Sequence, residues 1–388
     1  VVVVVVVVAV AVVVVVAVAV AVPCYSVVAM LSPAPLPRSL EASFRDVSSA
    51  RAATRESALR DVVRHALLVD ATRTRALPVL ERALRDDDAP GVRAVAAIGL
   101  ADLGGREALS TLLFAVEDDH PFVRQMALSA LGELRDPRAA ERLRRALSDA
   151  RPEVRYQAVI AYARVAHDDA DAVAAALAHA LDDGDAAIIH IALRMAEEYE
   201  PGAPLRHPRL LARARELIAS ADDAVAVVAA LYLVRAGEDT ARSVVLDVVA
   251  ERRGTPDLED EQACVEVAGD LLLREAIPYL ERRVWSRRRT LRRVLSWGAG
   301  DASSCAWHAR TALARMGHAR ARAEILSDLA SWRREKREAA VVAAGRARLG
   351  EALPALERLG GAVDADLLRD ALALLAIADA APAALAGR

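Results

Sequence analysis

Pro90-Gly91-Val92-Arg93, Pro121-Phe122-Val123-Arg124 and Pro152-Glu153-Val154-Arg155 are one phrase written three times, each copy 31 residues after the last. Ala96, Ala127 and Ala158 follow at a helical interval, then Leu100, Leu131 and Tyr162, then Leu103, Leu134 and Val165. Steps of 4, 4 and 3 from Val92 to Leu103 line one face of a helix, and that apolar face must be covered. The proline suits the first helical position, where its missing N–H would have had no partner anyway. Gly104-Gly105 after the first copy and Asp136-Pro137 after the second are turn chemistry that ends one helix and opens another. The second helix carries Leu109, Leu112, Leu113 and Val116 in one copy, and Ala140, Leu143 and Leu147 in the next. Each copy is therefore an antiparallel helix pair, and a fixed period of this size marks a stacked array. One pair cannot bury its own apolar face, so the pairs must stack. The predicted class is all-α: an α-α superhelix, a right-handed solenoid with first helices on one side and second helices on the other.

The fuller wording, Asp119-His120-Pro121-Phe122-Val123-Arg124 through Leu131-Gly132-Glu133-Leu134 and on to Asp136-Pro137-Arg138-Ala139, resembles the HEAT repeat. It resembles in particular the bacterial HEAT-like form also found in bilin lyases. The resemblance covers residues 86–166 and weakens after Asp183, where Ala187 and Ile188 stand in place of valine and arginine. It implies that Arg93, Arg124 and Arg155 pair with acidic groups of neighbouring turns, Asp118 and Asp149 among them, as a ladder between repeats. That role is structural.

The chain has 388 residues, of which 55% are hydrophobic and only 3% aromatic, so a large core must be built from Ala, Leu and Val. A net charge of −3 argues against nucleic-acid binding over the whole surface. The charge is uneven: residues 274–348 hold 18 Arg or Lys against 7 Asp or Glu. Of the 51 basic residues only Lys336 is lysine, which reads as a GC-rich coding bias and discounts the arginine count. Cys24, Cys264 and Cys305 lack the short spacings of metal sites or disulfide scaffolds, and Cys264 and Cys305 read as small core residues.

The first 22 residues are only valine and alanine, long enough as a helix, about 33 Å, to cross a bilayer. No basic residue precedes the run, its monotony looks like a translated nucleotide repeat, and Met30 stands where ordinary sequence begins. The expectation is a start near Met30 and a cytoplasmic chain without membrane attachment; the alternative is export or anchoring through residues 1–22. Residues 1–42 are expected to lie outside the fold. Residues 43–388 are expected to form about nine helix pairs, the first from Ala50 to Val69 and Arg75 to Arg85, with a terminal helix from Ala365 to Ile377.

Several chemistries are absent from the sequence. Deoxyhypusine hydroxylases, enzymes built on this repeat, carry His-Glu pairs, and none of the eight histidines here is followed by glutamate. There is no phosphate-binding glycine loop, nucleophile elbow or His-x-x-x-His pair. Asp168-Asp169 and Asp182-Asp183 read as solvated helix caps. The chain is expected to be a non-enzyme without cofactor or metal, a scaffold whose concave face of second helices binds a protein partner. The concentrated feature is residues 282–293, where Arg282, Arg283, Arg287, Arg288, Arg289, Arg292 and Arg293 surround Trp285, with Trp297 just beyond. These residues are the candidate interaction set, for an acidic protein surface or, alternatively, for nucleic acid as in the HEAT-like alkylpurine DNA glycosylases. Trp307 and Trp332 fall at helix-core spacing and are expected to pack.

Overall fold

A computed structural model describes residues 38–104, 108–199, 204–255, 257–285 and 305–385. The chain divides into two compact units, Val1–Thr111 and Leu112–Arg388. Among the described residues there are twenty α-helices and no strand. None of these helices is long and apolar enough to cross a membrane. The valine run at residues 1–22 lies outside the described residues.

In the first unit, α1 (Leu40–Asp46) packs on α2 (Ala52–Leu68), and α2 and α3 (Asp70–Asp86) both pack on α4 (Pro90–Asp102). The fold begins before residue 43, because Ser39 caps α1 and Arg38 bonds Asp46, Ser57 and Asp61 at 3.1, 2.7 and 2.9 Å. Those bonds bring residues 38–42 into the unit. Pro78 lies well inside α3 rather than in its first turn, so that helix forgoes one backbone bond there. Leu59, Val62, Leu80, Val92, Ala96 and Leu100 form the core that the period required.

The division falls within α5 (Leu109–Ala115), and in the second unit first and second helices follow in alternation. They are α6 (Pro121–Leu134) and α7 (Ala140–Ala146), α8 (Pro152–Val165) and α9 (Ala170–Ala180), and α10 (Ala186–Glu197) and α11 (Pro208–Leu217). Next come α12 (Asp223–Arg235) and α13 (Arg242–Val249), α14 (Leu258–Asp270) and α15 (Ile277–Trp285), and α16 (Ala306–Arg315) and α17 (Ala319–Leu329). The last pair, α18 (Arg334–Arg346) and α19 (Leu353–Glu357), precedes α20 (Ala365–Leu385), which packs on α18 and runs past the expected end at Ile377. Val123, Ala127, Leu131, Val154 and Ala158 are fully buried where α6 packs on α8. Leu134 is only half-buried, because it is the last residue of α6 and Arg135 turns left-handed after it.

One helix departs from the alternation of covered and open faces. Every residue of α12 from Val225 to Val234 is buried, as its unbroken apolar run implies, and α10, α11, α13 and α14 all pack against it. Tyr232 within it satisfies its hydroxyl by donating to the carbonyl of Leu205. Since α10 and α14 both cover α12, side chains far apart in the chain come together beside it.

Candidate functional site

The repeated arginine is consumed inside the array. Arg124 makes a two-pronged bond to Asp149 with both distances 2.9 Å, and Arg155 does the same to Asp183 at 2.7 and 2.8 Å. In the first unit Arg55 holds Asp87 at 2.7 Å through two nitrogens. Each of these arginines also donates Nη1 to the carbonyl six residues back: Asp118 at 2.9 Å, Asp149 at 3.0 Å and Ser49 at 3.0 Å. Arg93 makes the same bond to Asp87, at 3.1 Å. Each aspartate in turn accepts the N–H two residues on, from Arg151, Asp185 or Ala89 at 2.9 Å. Such charge-assisted forks set spacing between repeats. Burial works against the charge of Asp87 and Asp149 but is outweighed by the guanidinium and the N–H, while Arg155 is the chief cause at Asp183. All three carboxyls are held below their ordinary range.

The arginine-rich segment is divided. Arg283 is 3% exposed: its Nε and Nη2 donate to the carbonyls of Val249 and Val248 at 3.1 and 3.0 Å, and its Nη1 pairs with Glu261. It closes the C-terminus of α13, whose last carbonyls have no helical partner. Arg283 is therefore part of the fold and not free to meet a ligand, contrary to expectation. Arg282 lies over the Tyr279 ring at 4.9 Å. Trp285 donates to Glu324 at 3.0 Å, is covered by Arg320 at 4.3 Å and lies beside His318, in the wall of a cleft of ≈ 560 Å³. Arg287, Arg288, Arg289, Arg292, Arg293 and Trp297 lie outside the described residues. Trp307 donates to the Ala339 carbonyl at 3.3 Å. Trp332, expected to pack, is 83% exposed in the turn between α17 and α18, with the Arg333 guanidinium over its ring.

The second helices present other groups to water. Phe114, Arg145 and His179 are each the last but one residue of α5, α7 and α9, and all three are exposed. Phe114 is a phenylalanine 66% exposed on a regular helix, more than Phe122 on α6 at 44%. Nearby Arg142 pairs with Glu117, while Arg144 and Arg145 share Glu141 at 3.0 and 3.1 Å.

A polar centre adjoins α12. The Glu197 carboxyl has no exposure and sits between Arg194, at 3.3 Å, and Arg235. Burial pushes its pKa up against the pull of the two guanidiniums. Cys264 is buried, as expected of a core residue, and burial pushes its thiol well up. His190 on α10 meets Asp260 on α14 at 2.7 Å, with the Asp257 carboxylate near both.

Against known families, the model for HEAT repeats matches three overlapping stretches, residues 49–129, 77–163 and 112–198. Residues 49–198 are HEAT repeats. No curated protein matches the chain. Among solved structures it is similar to a chain of the CpcE–CpcF complex of phycocyanin lyase from Nostoc sp. PCC7120, at 18% identity over 65% of this chain and 94% of that one, TM-score 0.39. It is also similar to Kap121p bound to Nup53p, at 13% identity over 86% of this chain and 40% of that one, TM-score 0.48. A third is a designed armadillo repeat protein, at 20% identity over 51% and 99%, TM-score 0.36.

Beyond the HEAT span the ladder is rewritten rather than lost. Arg337 makes the same bond to a carbonyl six residues back, Ser331 at 2.8 Å, and its Nη2 reaches the carbonyl of Ala362 at 2.8 Å where an aspartate stands in the HEAT copies. Gly132 lies eight residues after Arg124, and Gly269 eight after Glu261, so a glutamate occupies the arginine's register in α14. That glutamate takes the buried Arg283. Sequence reasoning missed both because Asp-x-Pro is absent before α18, and because the swapped charge only makes sense once its partner is seen. It also missed His190 with Asp260, which are 70 residues apart.

Proposed function

We propose that this HEAT-repeat chain is a non-catalytic scaffold that binds an acidic segment of a partner protein on the face formed by its second helices. The observation that carries the reading is Phe114, a large exposed aromatic that shares its register with Arg145 and His179 on the next two second helices. The repeated arginines of the first helices are spent on Asp149 and Asp183, whereas α7 carries three arginines against one glutamate and keeps them at the surface. An apolar anchor beside guanidiniums is the usual composition of a binding hot spot. A nucleic-acid role is less favoured, since Arg283, one of the seven clustered arginines, is inside the fold.

The test places a photo-crosslinking amino acid at position 114 or 145, and at Glu153, an exposed first-helix position, as control. Crosslinks to one protein at 114 and 145 but not at 153, abolished by Arg145→Glu, are expected. Crosslinks to nucleic acid, or equal crosslinking at 153, would overturn the assignment.

A further inference from the structure

At the N-terminus of α14, outside the arginine ladder, His190, Asp257 and Asp260 each offer one metal-ligating atom, and the three atoms lie within 4.8 Å of one another. Asp260 is the telling member. Its side chain is 1% exposed, its Oδ2 lies 2.7 Å from His190 Nε2, and its Oδ1 has no hydrogen-bond partner. Buried carboxylate oxygens are almost always satisfied, so an orphan one points to a cation. The neighbouring guanidiniums do not supply it: Arg194 is spent on Glu197 and Glu198, Arg235 on Glu197, and Arg283 on Glu261 and two carbonyls. Asp257 caps α14, and the N–H of Glu259 donated to its Oδ1 at 2.8 Å fixes the carboxylate beside the other two groups.

We propose that His190, Asp257 and Asp260 bind one divalent transition-metal ion, zinc being the best fit. One imidazole nitrogen and two carboxylate oxygens, with a fourth position left to water, match zinc's tetrahedral habit at bond lengths of about 2.0–2.2 Å. Calcium and magnesium, which take six or more ligands, mostly oxygen, are poorly served by three donors. Two donors on a tetrahedral ion stand about 3.3 Å apart, so His190 and Asp260 open by roughly half an ångström as the ion replaces the proton between them. His190 is on α10 and Asp260 on α14, and both helices pack on α12. The ion ties them together across that buried helix.

The 388-residue chain is stripped with chelator, incubated with zinc chloride and gel-filtered. One equivalent of zinc should be retained, the melting temperature should rise with the metal, and cobalt substitution should give tetrahedral visible bands without a thiolate charge-transfer band. His190→Gln and Asp257→Asn should each lose both the retained zinc and the thermal shift. Asparagine caps a helix as well as aspartate does, so Asp257→Asn keeps the fold, which circular dichroism checks. No stoichiometric retention by the unaltered chain, or retention undiminished in either variant, would overturn the site.

Discussion

Gly269→Ala tests a close helix approach in the second unit. Gly269 lies on α14 where α16 passes, and a Cβ built on it would stand 2.8 Å from both Cα and Cβ of Ala312. Carbon atoms rest at about 3.5–4.0 Å, and Ala312 contributes backbone, which cannot swing aside, so the helices must separate by most of an ångström. Overpacking of this kind costs about 1–3 kcal/mol, while alanine gains about 0.8–1.0 kcal/mol over glycine as a helix former. The net loss is up to about 2 kcal/mol. Gly132→Ala, at the same register in α6, is the internal control: its Cβ would meet Ala161 at 3.1 and 3.2 Å, a misfit of a few tenths. Its cost and its propensity gain should nearly cancel. Thermal and urea unfolding followed by helical circular dichroism should place Gly269→Ala a few degrees below the parent, at roughly 2–4 °C per kcal/mol, with Gly132→Ala close to it. Repeat arrays can unfold in parts, so the order of the midpoints is the readout. If Gly269→Ala were as stable as Gly132→Ala, the packing argument would be refuted.

Leu131→Ala, at a fully buried position between α6 and α8, should cost about 2–5 kcal/mol in urea unfolding, and a near-parental midpoint would mean the repeat register is misread. Arg283→Ala strands the Val249 carbonyl and Glu261 and leaves the Val248 carbonyl to the N–H of Glu251, and should lose about 2–3 kcal/mol by the same assay. Trp332→Ala, by contrast, should stay within about 0.5 kcal/mol of the parent, because that ring is in water. Asp87, Asp149 and Asp183 have folded-state pKa values below the unfolded carboxylate value of about 3.9, so their stabilisation is complete above that value and is lost as pH falls through the lower folded values. The urea midpoint of the parent should therefore fall more steeply below about pH 4 than that of Asp149→Asn/Asp183→Asn, and parallel curves would count against the ladder.

Asp183, which reads as a solvated cap in the sequence, is the partner of Arg155 in the structure. The amino-acid sequence by itself determined the helix pairs and their core faces, and its resemblance to the HEAT repeat implied the Arg124–Asp149 fork. Each is a relation over one repeat or less, and a 31-residue period states it three times. Helical spacing decides which side chains share a face, and the need to bury that face decides that something covers it. Which element covers it, and what meets at the edges of that contact, only the tertiary structure decided. Both Leu134 and Trp332 keep apolar spacing, yet Leu134 is only half-buried and Trp332 faces water, because the chain turns away at the end of α6 and between α17 and α18. Arg283 stands in a run that reads as a solvated basic face, but it fills the end of α13. The interruptions at residues 200–204 and 254–256 break the period, so one repeat no longer maps onto the next by a fixed step. From there His190 and Asp260 come together because α12 is apolar all round and must be covered by both α10 and α14. That requirement is set by burial in three dimensions, and no spacing along the chain expresses it.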